Sequence, residues 1–261
     1  MNIEKINHYG HELYTALTEA ATVPPLTERE DDISIADAYA ISTCILEQRL
    51  AAGEKIIGKK IGVTSKPVQD MLGVHQPDFG YLTDTMHIEN GSSVTIAGNM
   101  IQPRAEGEIA FLLKDQLKGP DVKEADVLRA TEFVVPCFEI VDSRIKDWQI
   151  KIQDTVADNA SCGTFVLGDA RVKPEDVDLE NVRMVVSKNG NEISSGQGSA
   201  ALGSPLTAVA WLANTLSEFD IALEPGEIIL SGSLVPLEDV VPGDTMSLVL
   251  EGVGTAEISF S

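Results

Sequence analysis

The chain has 261 residues, 43% of them hydrophobic, enough to bury a sizeable core in one large domain or two small ones. Its 19 basic residues against 41 acidic ones leave a formal net charge of -22, which repels nucleic-acid phosphates and anionic lipid surfaces. Cys44, Cys137 and Cys162, with no Cys-x-x-Cys spacing, read as reduced thiols, and no signal-peptide pattern or bilayer-length apolar run stands in the sequence, so a cytoplasmic protein is expected.

Apolar Ile3, Ile6, Leu13 and Leu17 at helical spacing predict a first helix over residues 2 to about 21, broken by Val23-Pro-Pro-Leu. Ser34 and Asp37 form a capping pair for a second helix, which Gly53 closes. Residues 1–54 are therefore expected to be a helical flank or lid and residues 55–261 a β-rich catalytic domain, the two making one structural unit.

From Lys55 the texture changes to short β-like segments, near 56–63, 101–113, 133–142, 163–168, 181–188, 192–195, 227–231, 245–250 and 253–260. In the first, alternation sets Lys60 on a face with Gly58 and Gly62, and glycines flanking a lysine suggest that a ligand approaches the backbone there. The competing reading is a surface lysine on an edge strand. Thr64 and Ser65 look like a helix N-cap whose free N–H groups could hold a carboxylate. Asp78, in His75-Gln-Pro-Asp-Phe-Gly-Tyr, is a loop acid, either a turn former or a general base.

In Ile101-Gln-Pro-Arg-Ala-Glu-Gly-Glu-Ile-Ala-Phe-Leu-Leu113, the i, i+2 spacing puts Glu106 and Glu108 on one strand face. Glu139, in Phe133-Val-Val-Pro-Cys-Phe-Glu-Ile-Val141, shares a face with Cys137 and Val141, where an uncompensated charge is costly. Three such carboxylates converging would make an all-oxygen ligand set suited to Mg²⁺ or Mn²⁺ rather than Zn²⁺. The alternative is a solvated Glu-x-Glu face, with Glu139 paired to Arg144 or Arg104.

Asp154-Thr-Val-Ala-Asp-Asn-Ala-Ser161 and Leu230-Ser-Gly-Ser-Leu-Val235 are rich in small polar groups and read as loops lining a pocket. Between them, Asn189-Gly190 signals a hairpin, and Pro205 opens a long helix through Leu216. The glycine-rich Gly196–Pro205 stretch lacks the Gly-Lys-Ser/Thr ending of a phosphate loop. Nucleophilic Cys162 or serine chemistry is poorly supported, since the four histidines, His8, His11, His75 and His87, offer no evident base. Many strands with few helices give an α+β fold.

Taken jointly, Lys60-Ile-Gly-Val-Thr-Ser, Gln102-Pro-Arg-Ala-Glu-Gly-Glu, Pro136-Cys-Phe-Glu-Ile-Val-Asp-Ser-Arg144, Asp154–Ser161 and Leu202-Gly-Ser-Pro resemble the hydratase and decarboxylase family of aromatic meta-cleavage pathways, over almost the whole chain. The resemblance implies the mixed β-roll of the fumarylacetoacetate hydrolase C-terminal domain, and Mg²⁺ or Mn²⁺ held by Glu106, Glu108 and Glu139. It implies addition of water to an anionic 2-hydroxydienoate, 2-hydroxypenta-2,4-dienoate, with decarboxylation of 4-oxalocrotonate as the sister activity. Lys60 is then the candidate for acid-base work and charge stabilisation, Asp78 a proton carrier, and Ser161, Ser231, Gly232 and Ser233 the groups that orient carboxylate or water. Carbon–carbon bond hydrolysis would need His75 or His87 as base. Homo-oligomers, including pentamer-based decamers, and association with the pathway decarboxylase are further implications. A non-catalytic acidic protein holding structural Ca²⁺ is the reading from another class, and the glycine-flanked Lys60 argues against it.

Overall fold

Residues 1–261 are described by a computed structural model, and its elements follow the local signals closely. Helices α1 (Ile3–Thr18) and α2 (Ile35–Ala51) come first. The expected capping box opens α2, Asp37 N–H donating to Ser34 Oγ at 3.1 Å and Ser34 N–H donating to Asp37 Oδ2 at 3.0 Å. Next come β1 (Ile56–Gly62), α3 (Lys66–Leu72), β2 (Asp78–Thr83), β3 (His87–Ile88), β4 (Ser93–Val94), β5 (Arg104–Leu113), α4 (Glu124–Ala130), β6 (Thr131–Val141), α5 (Ile152–Ala157) and β7 (Cys162–Leu167). The chain closes with β8 (Arg183–Lys188), β9 (Asn191–Gln197), α6 (Pro205–Ser217), β10 (Ile228–Leu230), β11 (Glu238–Asp239), β12 (Thr245–Leu250) and β13 (Gly254–Phe260).

Two sheets result. The larger is mixed, in the order β2-β1-β10-β5-β6-β7-β3, with β11 also paired to β5. The smaller runs β4-β13-β12-β8-β9, and its β8–β9 hairpin turns at Asn189 and Gly190, both at positive φ as that dipeptide favours. Sequence reasoning missed β2, β3, β4 and β11, three of which are only two residues long. Asp78 is accordingly not a loop acid: the His75-Gln-Pro turn leads into β2, whose first residue it is. Nor is Lys60 on an edge, because β1 lies between β2 and β10.

The two faces of the larger sheet serve different purposes. On β5, Ile109 and Phe111 join Phe138 and Ile140 of β6 and Met184, Val186, Leu248 and Ile258 of the smaller sheet in the main core. Gly107 belongs to that face, and a Cβ there would lie 2.5 Å from Met184 Sδ, so the missing side chain leaves room for the packing of the two sheets. The opposite face carries Ala110, Val135, Cys137, Cys162 and Phe165, and with them Glu106, Glu108 and Glu139.

On the N-terminal side, Leu13 of α1 and Ile41 and Ile45 of α2 share a buried cluster with Ile145, Ile152 and Val156, so the first two helices brace α5. Helix α6 begins at Pro205 behind Ser204, as its sequence indicates, and buries Val209, Leu212 and Leu216 in the main core. No helix is long and apolar enough to cross a membrane.

Candidate active site and metal centre

The β5–β6 register sets Glu106 directly opposite Glu139, while Glu108 faces Cys137 two residues along. Directly paired side chains on one face lie close together, so the two strands deliver three carboxylates to one place. One oxygen from each lies within 4.8 Å of the others. Glu108 and Glu139 are completely buried, and Glu106 is half-buried. Glu108 Oε2 accepts the Gly232 N–H at 2.8 Å, but Glu108 Oε1 and both Glu139 oxygens have no hydrogen-bond partner. Burial, reinforced by Glu139, holds Glu106 up at about 7, and burial together with the other two carboxylates raises Glu108 well above its ordinary value. Orphaned buried carboxylate oxygens in a cluster of this kind fit a hard divalent cation.

The solvated-face alternative fails, as do the partners it offered to Glu139. Arg144 pairs with Asp158 at 2.5 Å and Arg104 with Asp239 at 2.7 Å. Lys60 instead reaches Glu139, with Nζ 3.3 Å from Oε1 and both side chains almost fully buried. Burial alone would discharge Lys60, yet Glu139, Asp78, Cys162 and Glu106 outweigh it and the ammonium is held more firmly than usual. Lys59, one residue away, points to the other face and binds Glu227 at 2.6 Å.

Both glycines beside Lys60 are approached closely by the protein itself, and Gly62 also lines the cavity that opens above the site. At Gly58 the intruder is the backbone of Ile228 on the parallel neighbour β10, and at Gly62 it is the carboxylate of Asp78, with Lys60 Nζ nearby. Asp78 is buried with neither oxygen in a well-formed hydrogen bond. Burial raises it to about 6, Lys60 pulling the other way and Glu139 adding to the rise. A carboxyl group poised there exchanges protons readily near neutral pH.

Above these groups opens a cavity of about 430 Å³. Lys60, Thr64, Ser65, Asp78, Glu106, Ser161 and Ser233 all line it. Glu108, Glu139, Ser231 and Gly232 lie outside its lining; Ser231 Oγ is buried and unpartnered, and Gly232 acts on Glu108 through its N–H. Ser65 does stand at the N-cap of α3, although its side chain makes no capping bond. Ser161 Oγ meets Thr155 Oγ1 at 3.1 Å, and Ser233 Oγ donates to Val235 O at 2.6 Å. Neither His75 nor His87 reaches the cavity, and burial pushes the Cys162 thiol well up, away from a nucleophilic thiolate.

The Leu230–Val235 stretch does line the cavity, through Ser233, Leu234 and Val235, but sequence reasoning did not find the rest of the apolar wall. Val68 and Met71 of α3, Trp148, Pro236 and Leu237 complete it around the polar floor. Trp148 is fixed by donating Nε1–H to Gln102 O at 3.1 Å and by Arg104 stacked 4.7 Å from its ring centre. The Asp154–Ser161 stretch, read as a pocket loop, is instead α5 followed by a tight turn at residues 159–161, and it does supply Thr155 and Ser161.

Comparison with known proteins agrees with this geometry. Residues 52–260 match the fumarylacetoacetate (FAA) hydrolase C-terminal family. A 2-hydroxyhexa-2,4-dienoate hydratase of Comamonas testosteroni is 58% identical over 98% of this chain and 97% of its own length. A 2-hydroxypent-2,4-dienoate hydratase of Pseudomonas putida is 66% identical over 83% of this chain and 98% of its own. Among solved structures, the 4-oxalocrotonate decarboxylase from Pseudomonas putida G7, complexed with magnesium and adipate, superposes with a TM-score of 0.97 at 32% identity, covering 100% of this chain and 99% of that one.

Proposed function

The chain belongs to the fumarylacetoacetate hydrolase C-terminal family, and from that premise we propose that it is a hydro-lyase adding water to 2-hydroxypenta-2,4-dienoate to give 4-hydroxy-2-oxopentanoate in aromatic meta-cleavage catabolism. The observation that carries the reading is the triad of Glu106, Glu108 and Glu139, with oxygens left unsatisfied beside a buried lysine and a proton-exchanging aspartate. Hydration is favoured over 4-oxalocrotonate decarboxylation because the hydratases are 58% and 66% identical to this chain, against 32% for the decarboxylase.

Glu106, Glu108 and Glu139 would hold Mg²⁺ or Mn²⁺. When bound, such an ion supplies Lewis-acid stabilisation of negative charge on the substrate's 2-oxygen. Lys60 adds a second, permanent positive charge at the same floor, fixed in a water-poor setting where it needs no reorganisation during the reaction. Asp78, held near neutrality, takes the 2-hydroxyl proton and serves protonation at C5, which yields the conjugated 2-oxo-3-enoate. Water then adds across C3=C4, its hydroxyl going to C4, made electron-poor by the conjugated ketone, and its proton ending on C3, while Ser161 with Thr155 orients it. Thr64, Ser65 and Ser233 position the substrate carboxylate, the Gly232 N–H holds Glu108 from behind, and the apolar wall takes the short hydrocarbon tail.

Residues 1–54 serve as the flank that braces this site and residues 55–261 as the part that carries it. A homo-oligomer, pentamer-based as in the family, a cytoplasmic setting, and contact with a partner decarboxylase complete the proposal.

The test is an absorbance and mass assay. Dienol absorbance should disappear on adding Mg²⁺ or Mn²⁺ and persist after chelation, with a product heavier by one water. Carbon dioxide release from the enedioate with no turnover of the monoacid would instead establish the decarboxylase, and no metal-dependent change with either substrate would leave a binding protein.

A further inference from the structure

Residues 159–161 adopt an unusual backbone. Asn159, Ala160 and Ser161 have φ values of 52°, 51° and 54°, three consecutive non-glycine residues in the left-handed region, where an L side chain crowds its own carbonyl. Such a run persists only when its surroundings over-determine it. Here the turn forms part of the cavity wall through Ala160 and Ser161.

Two sets of contacts impose the conformation. The first is Arg144, whose guanidinium is almost wholly buried. Its Nη2 donates to Asp158 O at 2.5 Å and its Nη1 to Cys162 O at 2.9 Å, so one planar group grips the residue just before the turn and the residue just after it. Its Nη1 also donates to Asp142 O at 2.6 Å, tying the turn to the end of β6. The Asp158 carboxylate holds the guanidinium in place, accepting Nε–H at 2.5 Å while its other oxygen accepts the Arg144 N–H at 2.9 Å. The second set is Asn159. Its side chain accepts the Tyr81 N–H at 2.8 Å and donates to Tyr81 O at 3.0 Å, completing the free edge of β2 three residues from Asp78. A Cβ at Gly80 would lie 2.5 Å from Asn159 O, so that approach is possible only at a glycine.

We propose that Arg144, Asp158 and Asn159 are positioning residues, which hold Ser161 on the left-handed turn and lock it in register with the Asp78 strand. The inference rests on the hydratase reading, in which Ser161 orients water and Asp78 moves a proton. It assigns the spacing between those two groups to a device that touches neither substrate nor metal. Arg144 thereby has a role different from the one its sequence position suggests, since it does not neutralise Glu139.

The experiment uses the full chain with Mn²⁺ and 2-hydroxypenta-2,4-dienoate. Asp158→Asn keeps the shape of the side chain but loosens the grip on Arg144, and Asn159→Ala severs the link to β2 without stranding a buried charge. Each is expected to lower kcat by about 10²-fold, the scale of a displacement of about 1 Å, with Mn²⁺ affinity by calorimetry unchanged and a cooperative thermal transition retained. Adding Ala160→Gly to Asp158→Asn makes the left-handed turn accessible without the grip, and should recover part of the lost kcat. A purely structural loss would instead lower the thermal transition and Mn²⁺ affinity together with kcat. If Asp158→Asn fails to fold, Asn159→Ala decides alone. Folded variants with unchanged kcat, or a double variant no better than its parent, would overturn the proposal. A wild-type chain that does not hydrate the dienoate would instead overturn the underlying reading.

Discussion

Gly62 provides the space that Asp78 occupies: a methyl group at residue 62 would overlap Asp78 Oδ1 and come within 3.3 Å of Lys60 Nζ. The relationship joins adjacent antiparallel strands, since Gly62 and Asp78 are direct register partners of β1 and β2. Gly62→Ala should therefore displace the Asp78 carboxylate while leaving the three glutamates in place. A fall in kcat of about 10²-fold with Mn²⁺ affinity within a factor of about 2 is the expected result. Steady-state kinetics alongside metal titration checks it, and equal loss of both would place the glycine in the metal centre.

Glu106→Gln or Glu139→Gln exchanges a charged oxygen for a neutral amide of nearly the same shape. Metal binding should weaken by at least about 10²-fold, and metal-dependent turnover should vanish at limiting metal. Without metal, Glu106→Gln should unfold at an equal or higher temperature than the parent, because a like charge leaves a buried cluster, whereas Glu139→Gln strands the buried Lys60 ammonium and should unfold lower. A clear loss of metal-free stability in Glu106→Gln would show that its carboxylate is needed by Lys60 rather than by a cation.

Metal affinity should depend on pH with a definite sign. In the absence of metal burial holds Glu106 up at about 7 and Glu108 well above its ordinary value, so a cation arriving below neutrality must displace protons. The dissociation constant should tighten by up to about tenfold per pH unit between about pH 6 and pH 7 for each proton released. Stability of the metal-free chain runs the other way. A carboxyl raised above its unfolded value stabilises below that value and loses the contribution as pH rises, here between about 4.5 and about 7 for Glu106. Calorimetry in buffers of different ionisation enthalpy counts the protons, and a pH-independent affinity would contradict the assignment.

Lys60→Met removes the buried ammonium 3.3 Å from Glu139. Turnover should fall by roughly 10²- to 10⁴-fold, the range of a lost acid-base or charge-stabilising group. Metal affinity should hold or improve, because a neighbouring positive charge opposes an incoming cation. A turnover number unaffected by the change would remove Lys60 from the mechanism.

The convergence of Glu106, Glu108 and Glu139 was legible because three charges stand in segments whose other residues are plainly core, and strand period two decides which of them meet. The partners of those charges were not legible. Glu139 binds Lys60 rather than Arg144, because β1 and β6 belong to one sheet only through β10 and β5, an adjacency set by topology. Asp78 was misplaced because turn residues precede it immediately and the strand behind them is six residues long. Outside the Leu230–Val235 stretch the apolar wall left no local signature: Val68, Trp148 and Leu237 lie on separate parts of the chain that meet only in the folded protein.

Between Glu106 and Glu108 of β5 sits Gly107, and a side chain there would run into the Met184 thioether of the other sheet. The two carboxylates thus flank a point where the sheets meet at bare backbone, on the side away from the cavity. A bulkier residue at 184 is expected to press on the strand between them from behind without altering either carboxylate.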